Sequence, residues 1–335
     1  MNIQTVSFQG LSFISVAKPT DFEMKYLRNT YEFDSLNLED YLHKTQIPKV
    51  ENHKKYDLIV LRFPFFSENV VQNAHQYGIH LPHLPTFSSV KKRRLTSSYI
   101  NIFISKEYVV ILHDGTLPQI NHIFSLCQKT LHNRTEYMGK GAIFLAYKII
   151  DPLVDDCFPA INEITSTIDK IDKELENKQS QKTLEEISTT RRNLVVFHTM
   201  IKPIIPLFNQ LEEGKHANLN GTMQAFWGNI LDHLQKIMDR VEDNQELIEG
   251  ISESSEFLLR SKTNNIMALL TILFTLTIPA TVIGTFYGMN ILLPGGLQDG
   301  SWNFWGPYTT LISVIIFSII PLILMLLYFK HKKWF

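Results

Sequence analysis

Hydrophobic and polar residues change their pattern several times along this 335-residue chain. Up to about residue 150, short alternating runs lie between helical patterns, which predicts a cytosolic α/β domain of the α+β fold class over residues 1–150. Helices are predicted at Asp21–Tyr31 and Gln119–Thr130. Strands are predicted at Thr5–Val16 (a pair broken at Gly10), Asp57–Phe66, Ser98–Ile104 and Tyr108–His113, the last two joined by a hairpin turn at Ser105–Glu107.

Residues 151–221 repeat at helical spacing and predict an antiparallel pair of cytosolic helices. The pattern breaks at Asn177–Gln181, and Pro203 and Pro206 disturb the second helix. Residues 222–262 then predict one long stalk helix with a heptad-like seam. The seam consists of Phe226, Ile230, Leu234, Ile237, Val241, Asn244, Ile248, Ile251, Ser255 and Leu258.

The seam leads directly into an apolar stretch at residues 263–290, which has no charged side chain. Ile266–Phe286 is long enough to cross a bilayer core, which needs roughly 20 apolar residues. A loop at 291–303 separates it from a second uncharged run at 304–329, in which Pro321 favours a kink. The tail at 330–335 is basic. We therefore predict a stalk helix continuous with the first of two membrane-spanning helices.

The first apolar stretch carries a stripe at alternating steps of three and four residues, which places its members on one helix face. Polar residues inside a membrane usually mark a pathway, and this favours a helix that lines an ion pore. The alternative is that small and hydroxyl residues pack helix against helix. The stripe consists of Asn264, Met267, Thr271, Phe274, Ile278, Thr281, Thr285 and Gly288.

Basic residues lie at both outer ends of the predicted membrane hairpin, whereas its loop contains only one charge, that of Asp299. By the positive-inside rule both termini are cytosolic. The first residues lack a basic region followed by an apolar run, so no cleavable signal peptide is expected. We predict a multi-pass protein of the plasma or inner membrane.

Composition and charge exclude other classes of protein. A net charge of −1 gives no general basis for nucleic acid binding. The two cysteines, Cys127 and Cys157, form no CxxC pair, and this fits a reducing compartment. Neither a nucleophile–base pair nor paired catalytic carboxylates stand out, so we expect no enzyme. Gly139–Gly141 (GKG) lacks the spacing of a phosphate-binding loop.

Two clusters in the first half have functional and structural interpretations. His75, His80 and His83 are candidate zinc ligands, although an ordinary solvated loop is the better explanation. The run Lys91–Arg94 is a candidate site for anions or lipid headgroups, and the alternative is a solvated basic turn.

Tyr287-Gly288-Met289-Asn290, at the end of the first apolar helix, resembles the signature of the CorA family of magnesium channels. The basic, tryptophan-bearing tail Phe329–Phe335 and the stretch from Leu38 to Leu61 resemble the same family. The resemblance covers essentially the whole chain. It implies a CorA-like funnel-shaped homopentamer in the lipid bilayer, in which the first spanning helix lines the pore and the second surrounds it.

The resemblance also implies roles for individual residues. Asn290 falls on the selectivity-ring asparagine, and Gly288 and Met289 hold its turn. Asn264 and Met267 fall on inner pore positions, and Glu253 on an acidic position at the cytosolic end. The external loop departs from many members, because Asp299 is its only acid.

The resulting hypothesis is passive, potential-driven Mg²⁺ uptake, closed by cytosolic Mg²⁺ that binds acids of the stalk. Candidate metal-binding residues are Asn290, Glu253, Asp232, Asp239 and Asp243. Two alternatives stay open: a transporter of zinc, cobalt or nickel from the same superfamily, and a non-conducting membrane scaffold.

Overall fold

The computed structural model describes residues 2–43, 46–67, 94–177, 181–220, 222–289 and 308–332, together with 304 and 306. Its chain forms two compact units, Met1–Glu253 and Ser254–Phe335. The predicted sites at His75, His80, His83 and Lys91–Arg93 lie outside the described residues, as do Asn290 and the loop at 291–303.

A six-stranded sheet forms the centre of the first unit, in the order β1-β2-β6-β5-β4-β3. Only the β2–β6 pair is parallel, and all other neighbours are antiparallel. Every predicted strand is confirmed, and a short edge strand, β3, is added. The strands are β1 (Ile3–Phe8), β2 (Leu11–Ala17), β3 (Lys49–Asn52), β4 (Asp57–Ser67), β5 (Arg94–Ile104) and β6 (Tyr108–His113).

Alternation along the strands gives the sheet two apolar faces. One face packs under α1 (Asp21–Tyr31) and α2 (Ser35–His43), around Leu27 and Phe103. The other face carries Phe13, Ile59 and Ile102 and packs under the remaining helices of this unit. Both faces are therefore buried, as in a layered α/β domain.

The second face is covered by a succession of helices. The helix predicted at Gln119–Thr130 is confirmed as α3, and the predicted antiparallel pair as α6 and α7. The pattern analysis missed α4 and α5: α4 buries only Met138, and the apolar residues of α5 are buried against several neighbours and leave no clean period. These helices are α3 (Pro118–Lys129), α4 (Leu131–Met138), α5 (Ala142–Asp155), α6 (Cys157–Asn177), α7 (Gln181–Ile201), α8 (Ile204–Glu212) and α9 (Ala217–Asn220).

The predicted stalk and the first apolar stretch form a single 64-residue helix, α10 (Gln224–Tyr287). Most of its seam is buried: Ile230, Leu234, Ile237 and Val241 are completely inaccessible to solvent, whereas Leu258 at its end is 41% exposed. Next to the start of the seam, the buried Trp227 donates its indole N–H to the carbonyl of Leu219 at 3.0 Å. The hydrophobic core therefore continues from the sheet along α10.

Four polar pairs accompany the apolar seam along α5, α6 and α10. They follow one another in the same order on both sides, so α10 runs parallel to α5 and α6 here. The pairs are Asn229–Asp151 (3.3 Å), His233–Asp155 (2.9 Å), Arg240–Asn162 (2.7 Å) and Asn244–Thr165 (2.9 Å). We call them the polar ladder. Because each pair needs a specific partner, the ladder fixes the register of α10 on the domain.

In the described part of the chain, three helical segments are long and apolar enough to cross a membrane: Lys182–Glu212, Gln224–Tyr287 and Thr309–His331. The first buries 44% of its most apolar window, with Phe197 and Phe208 in the core of the soluble unit, whereas the others bury 6% and 0%. Packing inside the soluble unit therefore explains why the first segment is apolar, but it does not explain the apolar windows of the other two. The last is helix α11 (Thr309–His331).

One buried histidine makes the stability of the first unit depend on pH. His113 is fully buried at the end of β6; its Nδ1 accepts the N–H of Gly115 at 3.2 Å. Its Nε2 lies 3.1 Å from the Ser15 hydroxyl, to which it donates if Nδ1 is the acceptor. Burial lowers the pKa of His113 from 6.5 to about 4.

We predict that acidification destabilises this unit through His113. In the unfolded chain His113 is protonated below pH 6.5, whereas in the folded chain it is protonated only below about pH 4. The free energy of unfolding therefore falls as the pH drops from 6.5 to about 4, by about 3 kcal/mol in all. His113→Gln should flatten this part of the pH profile in urea unfolding followed by circular dichroism. The exposed His122→Gln is the control, and an unchanged profile in His113→Gln would contradict the assignment.

Candidate ion pathway and metal centre

The predicted pore stripe lies on the second half of α10, which belongs to the second unit. Its apolar members are exposed: Met267 by 59%, Phe274 by 64% and Ile278 by 55%. Its polar members, Asn264, Thr271, Thr281 and Thr285, are exposed as well. Nothing else in the described part of the chain covers this face. It is therefore available to other copies of the chain, to lipid or to water.

The threonine hydroxyls of the stripe donate hydrogen bonds to their own helix. Thr271 donates to the carbonyl of Met267 at 2.8 Å, Thr281 to that of Thr277 at 2.9 Å and Thr285 to that of Thr281 at 2.7 Å. A hydroxyl has one proton to donate and two lone pairs that accept. Each of these oxygens is thus left as an acceptor, and this suits water molecules whose protons point outward from a cation.

A tight turn ends α10 at the predicted filter. The Gly288 N–H bonds the carbonyl of Gly284 at 2.9 Å, and the Met289 N–H bonds that of Phe286 at 3.2 Å. A Cβ at Gly288 would lie 3.3 Å from the Gly284 carbonyl oxygen, closer than most side chains tolerate. Glycine therefore fits this position better than any larger residue. The turn leads towards Asn290, which lies outside the described residues.

The acids proposed from the sequence as regulatory ligands lie on the exposed surface of α10. Asp232 forms an ion pair with Lys236 at 2.5 Å. Within the described ranges, Asp239, Asp243 and Glu253 form no ion pair. Asp239 and Asp243 lie one turn apart on α10, but none of the four acids belongs to a group of three possible metal ligands in this part of the chain. If they bind a cation, the remaining ligands have to come from another copy of the chain.

A group with metal-ligand geometry lies elsewhere, on the polar ladder. The ligand atoms of Asp151, Asp155 and His233 all lie within 4.8 Å of one another. Asp151 and Asp155 are one turn apart on α5, and His233 faces them from α10, with its Nδ1 2.9 Å from an Asp155 oxygen. Sequence analysis missed this group, because 78 residues separate His233 from Asp155 and only the parallel packing of the two helices joins them.

The two carboxylates of this group repel each other, so a cation bound between them would be stabilised. Burial raises the pKa of Asp151, and the negative charge of Asp155 raises it further, while a hydrogen bond from Tyr147 acts in the opposite direction. Two carboxylates and an imidazole offer both oxygen and nitrogen donors. Imidazole suits cobalt, nickel and zinc, whereas magnesium prefers oxygen ligands, so this donor set is not selective for magnesium.

A soluble α/β domain that leads through one long helix into exposed, uncharged apolar helices defines a membrane protein. The polar stripe within the apolar part of α10 is typical of membrane proteins that transport polar solutes. Comparison with known proteins identifies the family to which this membrane protein belongs.

Residues 8–331 match the model of the family described as CorA-like Mg²⁺ transporter protein. The chain is 27% identical over 317 residues to the putative metal ion transporter YfjQ of Bacillus subtilis, covering 95% of this chain and 88% of that protein. It is 28% identical over 300 residues to the cobalt/magnesium transport protein CorA of Thermotoga maritima, covering 89% and 76%.

The fold agrees with a solved structure. The complete CorA magnesium transporter from Methanocaldococcus jannaschii aligns with a TM-score of 0.72 and 17% identity, over 98% of this chain and 94% of that one. The chain belongs to the CorA family, and it is a divalent metal ion transporter, not an enzyme.

We predict that the group of Asp151, Asp155 and His233 binds divalent cations, with Co²⁺ stabilising the soluble unit more than Mg²⁺. At a concentration about 100-fold above the dissociation constant, a bound ion adds about 2.7 kcal/mol. Asp151→Asn should remove most of the Co²⁺-induced rise in melting temperature. Asp172→Asn, an exposed acid on α6, is the matched control, and equal responses of both variants would contradict the site.

Proposed function

We propose that the chain forms a homopentameric channel through which hydrated Mg²⁺ enters the cell passively. The observation that carries this proposal is the polar stripe on the uncharged part of α10, whose threonine oxygens are left as outward acceptors. Two apolar helices per chain cannot enclose a pore, so several copies around one axis are needed. The number five and the pore-lining role of α10 follow from the resemblance of the GMN segment.

Hydrated Mg²⁺ explains why neutral oxygens line the path. Magnesium gives up water reluctantly, so a neutral pore holds the ion by its water shell. A ring of Asn290 amide oxygens would accept hydrogen bonds from those waters without displacing them. A carboxylate ring would bind the ion more tightly and slow its release, whereas conduction needs weak binding. Asn264, Thr281 and Thr285 would continue the same chemistry along the path.

The apolar members of the stripe have a different role in this proposal. Met267, Phe274 and Ile278 would form a narrow, dry section when the copies close around the axis, and it would open when water enters. The exposure of these three side chains in the single chain leaves them free to meet their counterparts from other copies.

A membrane potential supplies the driving force. The sequence has no nucleotide-hydrolysing loop, and 100 mV, inside negative, gives about 4.6 kcal/mol for a divalent cation. We infer that closure comes from cytosolic Mg²⁺ bound between copies by Glu253, Asp239 and Asp243, with Asp232 already engaged by Lys236. Loss of the ion would leave like charges facing one another and separate the helices. In this proposal both termini are cytosolic, in keeping with Arg260 and Lys262 before the apolar part of α10 and with Lys330 in the last turn of α11.

Cobalt is the second candidate ion. The name of the Thermotoga relative includes cobalt, and the group of Asp151, Asp155 and His233 offers a nitrogen ligand. Zinc and nickel remain candidates on the same chemistry. Competition of Co²⁺, Ni²⁺ and Zn²⁺ against Mg²⁺ in the flux assay below separates these candidates, and a non-conducting scaffold would pass none of them.

We predict that Asn290→Ala abolishes selective Mg²⁺ entry, because the ring of amide acceptors is lost. Purified protein in liposomes that hold a Mg²⁺-sensitive dye, at a set inside-negative potential, measures the flux. Asn290→Asp should still bind the ion but release it more slowly, which lowers the maximal flux. Both variants must elute at the size of the parent oligomer. If Asn290→Ala still conducts Mg²⁺ selectively at the parent rate, Asn290 is not the selectivity filter.

We also predict that Thr281→Val combined with Thr285→Val slows Mg²⁺ flux at least about tenfold. Valine keeps the shape of threonine but removes the acceptor, and two hydrogen bonds to the water shell of the ion, each worth about 0.5–1.5 kcal/mol, together account for this factor. Thr277→Val is the matched control: its hydroxyl also donates to its own helix, to Phe274 at 3.2 Å, but it lies off the stripe. If all these variants slow the flux equally, the stripe does not line the path.

A further inference from the structure

A cleft of about 770 Å³ lies on the soluble unit, at the end of the sheet where two turns meet the start of α5. Its walls come from the β3–β4 turn at His53–Asp57, the β5–β6 turn at Ser105–Glu107, the segment Lys140–Phe144 and the residues that precede α10. This volume lies in the range of small-molecule sites, about 300–1,000 Å³. The cleft is separate from the stripe and from the group around Asp151.

Lysines from three separate segments line this cleft. Lys54, Lys106 and Lys140 have no carboxylate within 4.0 Å among the residues that the structure describes. A fourth lysine, Lys55, is held by Glu32 at 2.5 Å and contributes less. Three unpaired ammonium groups around one concave site create a positive potential that attracts anions.

Two acids also line the cleft, and their positions limit their effect. Asp57 is 7% exposed; it accepts a hydrogen bond from the Asn218 amide at 3.3 Å, and burial raises its pKa. Glu107 is on the β5–β6 turn beside Lys106. Both carboxylates together leave an excess of positive charge on the walls.

The first turn of α5 adds donors to the same cleft. Gly141 precedes the helix with φ of 98°, which favours glycine, and no side chain caps the helix. The first intrahelical acceptor is the Gly141 carbonyl, which bonds the N–H of Leu145 at 3.1 Å. Within the described ranges, the N–H groups of Ala142, Ile143 and Phe144 have no acceptor. The Lys140 ammonium is 4.8 Å from the centre of the Phe144 ring, which keeps it over this turn.

The remaining wall of the cleft is aromatic and apolar. His53 stacks on Tyr56, with ring centres 4.6 Å apart and an angle of 19° between the planes. Ile104, Ile143 and Met223 complete this side. Tyr56 itself is buried in the core, whereas the His53 side chain is 28% exposed, so a flat ring in the cleft can lie on His53. The cleft thus combines phosphate-binding chemistry with a surface for a planar group.

We propose that this cleft binds a nucleotide, with its phosphates at the first turn of α5 among Lys54, Lys106 and Lys140, and its base against the part of the His53 ring that Tyr56 leaves uncovered. Helix N-termini with free N–H groups and nearby cations are a general solution for phosphate. The binding needs no hydrolysis, and the chain lacks the motif for it. This site does not depend on the proposed ion pathway.

Equilibrium binding tests the proposal on the full-length protein in detergent. Adenosine triphosphate, adenosine diphosphate, pyrophosphate and adenosine are titrated by calorimetry in buffer with EDTA, because nucleotides chelate Mg²⁺ and would otherwise report on metal sites. We expect the triphosphate to bind more tightly than the diphosphate, adenosine to bind weakly and pyrophosphate to compete. Raising the salt concentration should weaken all phosphate ligands.

Charge reversal locates the site. Lys106→Glu combined with Lys140→Glu should weaken triphosphate binding at least about tenfold, since charge-assisted hydrogen bonds to phosphate are lost. Lys25→Glu, an exposed lysine in the middle of α1, is the matched control and should bind like the parent chain. Melting temperature and elution volume show whether each variant folds.

Three results would overturn the proposal. One is no heat of binding from any nucleotide or pyrophosphate up to about 1 mM. Another is equal weakening by the double variant and by Lys25→Glu, which would indicate general attraction to a basic surface. The third comes from a parallel titration with Mg²⁺ in place of EDTA: binding that appears only there and is lost in Asp151→Asn but not in the double lysine variant would place the nucleotide at a metal site.

Discussion

Burial of the α10 seam against the α/β domain is the constraint on which the soluble unit depends. Ile230, Leu234 and Ile237 continue the core that begins on the sheet, and Trp227 closes its start. Without this burial, a helix of 64 residues would have no reason to lie at one defined position. The seam fixes which side of α10 faces the domain, and therefore which side carries the acids and the polar ladder.

Several elements could be predicted from the sequence because they leave a clear local pattern. The hairpins at Gly10 and at Ser105–Glu107 show short apolar runs separated by turn residues, and the α10 seam shows steps of three and four residues. Helix α5 could not be predicted in this way, since apolar residues such as Leu145, Ile149 and Ile150 are buried on nearly every side. A helix surrounded by protein on several faces has no polar face to reveal its period.

The candidate sites also differ in whether the sequence alone could predict them. The stripe was accessible to sequence analysis because its members are neighbours on one helix and stand out in an uncharged run. The group of Asp151, Asp155 and His233 could not be found from the sequence, because it depends on how two helices distant in sequence pack together. The basic cleft is likewise built from turns at residues 53–57, 105–107 and 140–144, and their proximity is a property of the sheet topology.

The polar ladder restricts how α10 can move against the domain. A slide of one turn, 5.4 Å along the axis, would bring His233 opposite Asp151 and leave Arg240 and Asn244 without their present partners. Tilting or small rotation would stretch the same contacts without exchanging them. The ladder therefore opposes sliding of α10 along its own axis in either direction. A signal that starts in the soluble unit is expected to travel along α10 as a change of angle, with its register on α5 and α6 unchanged.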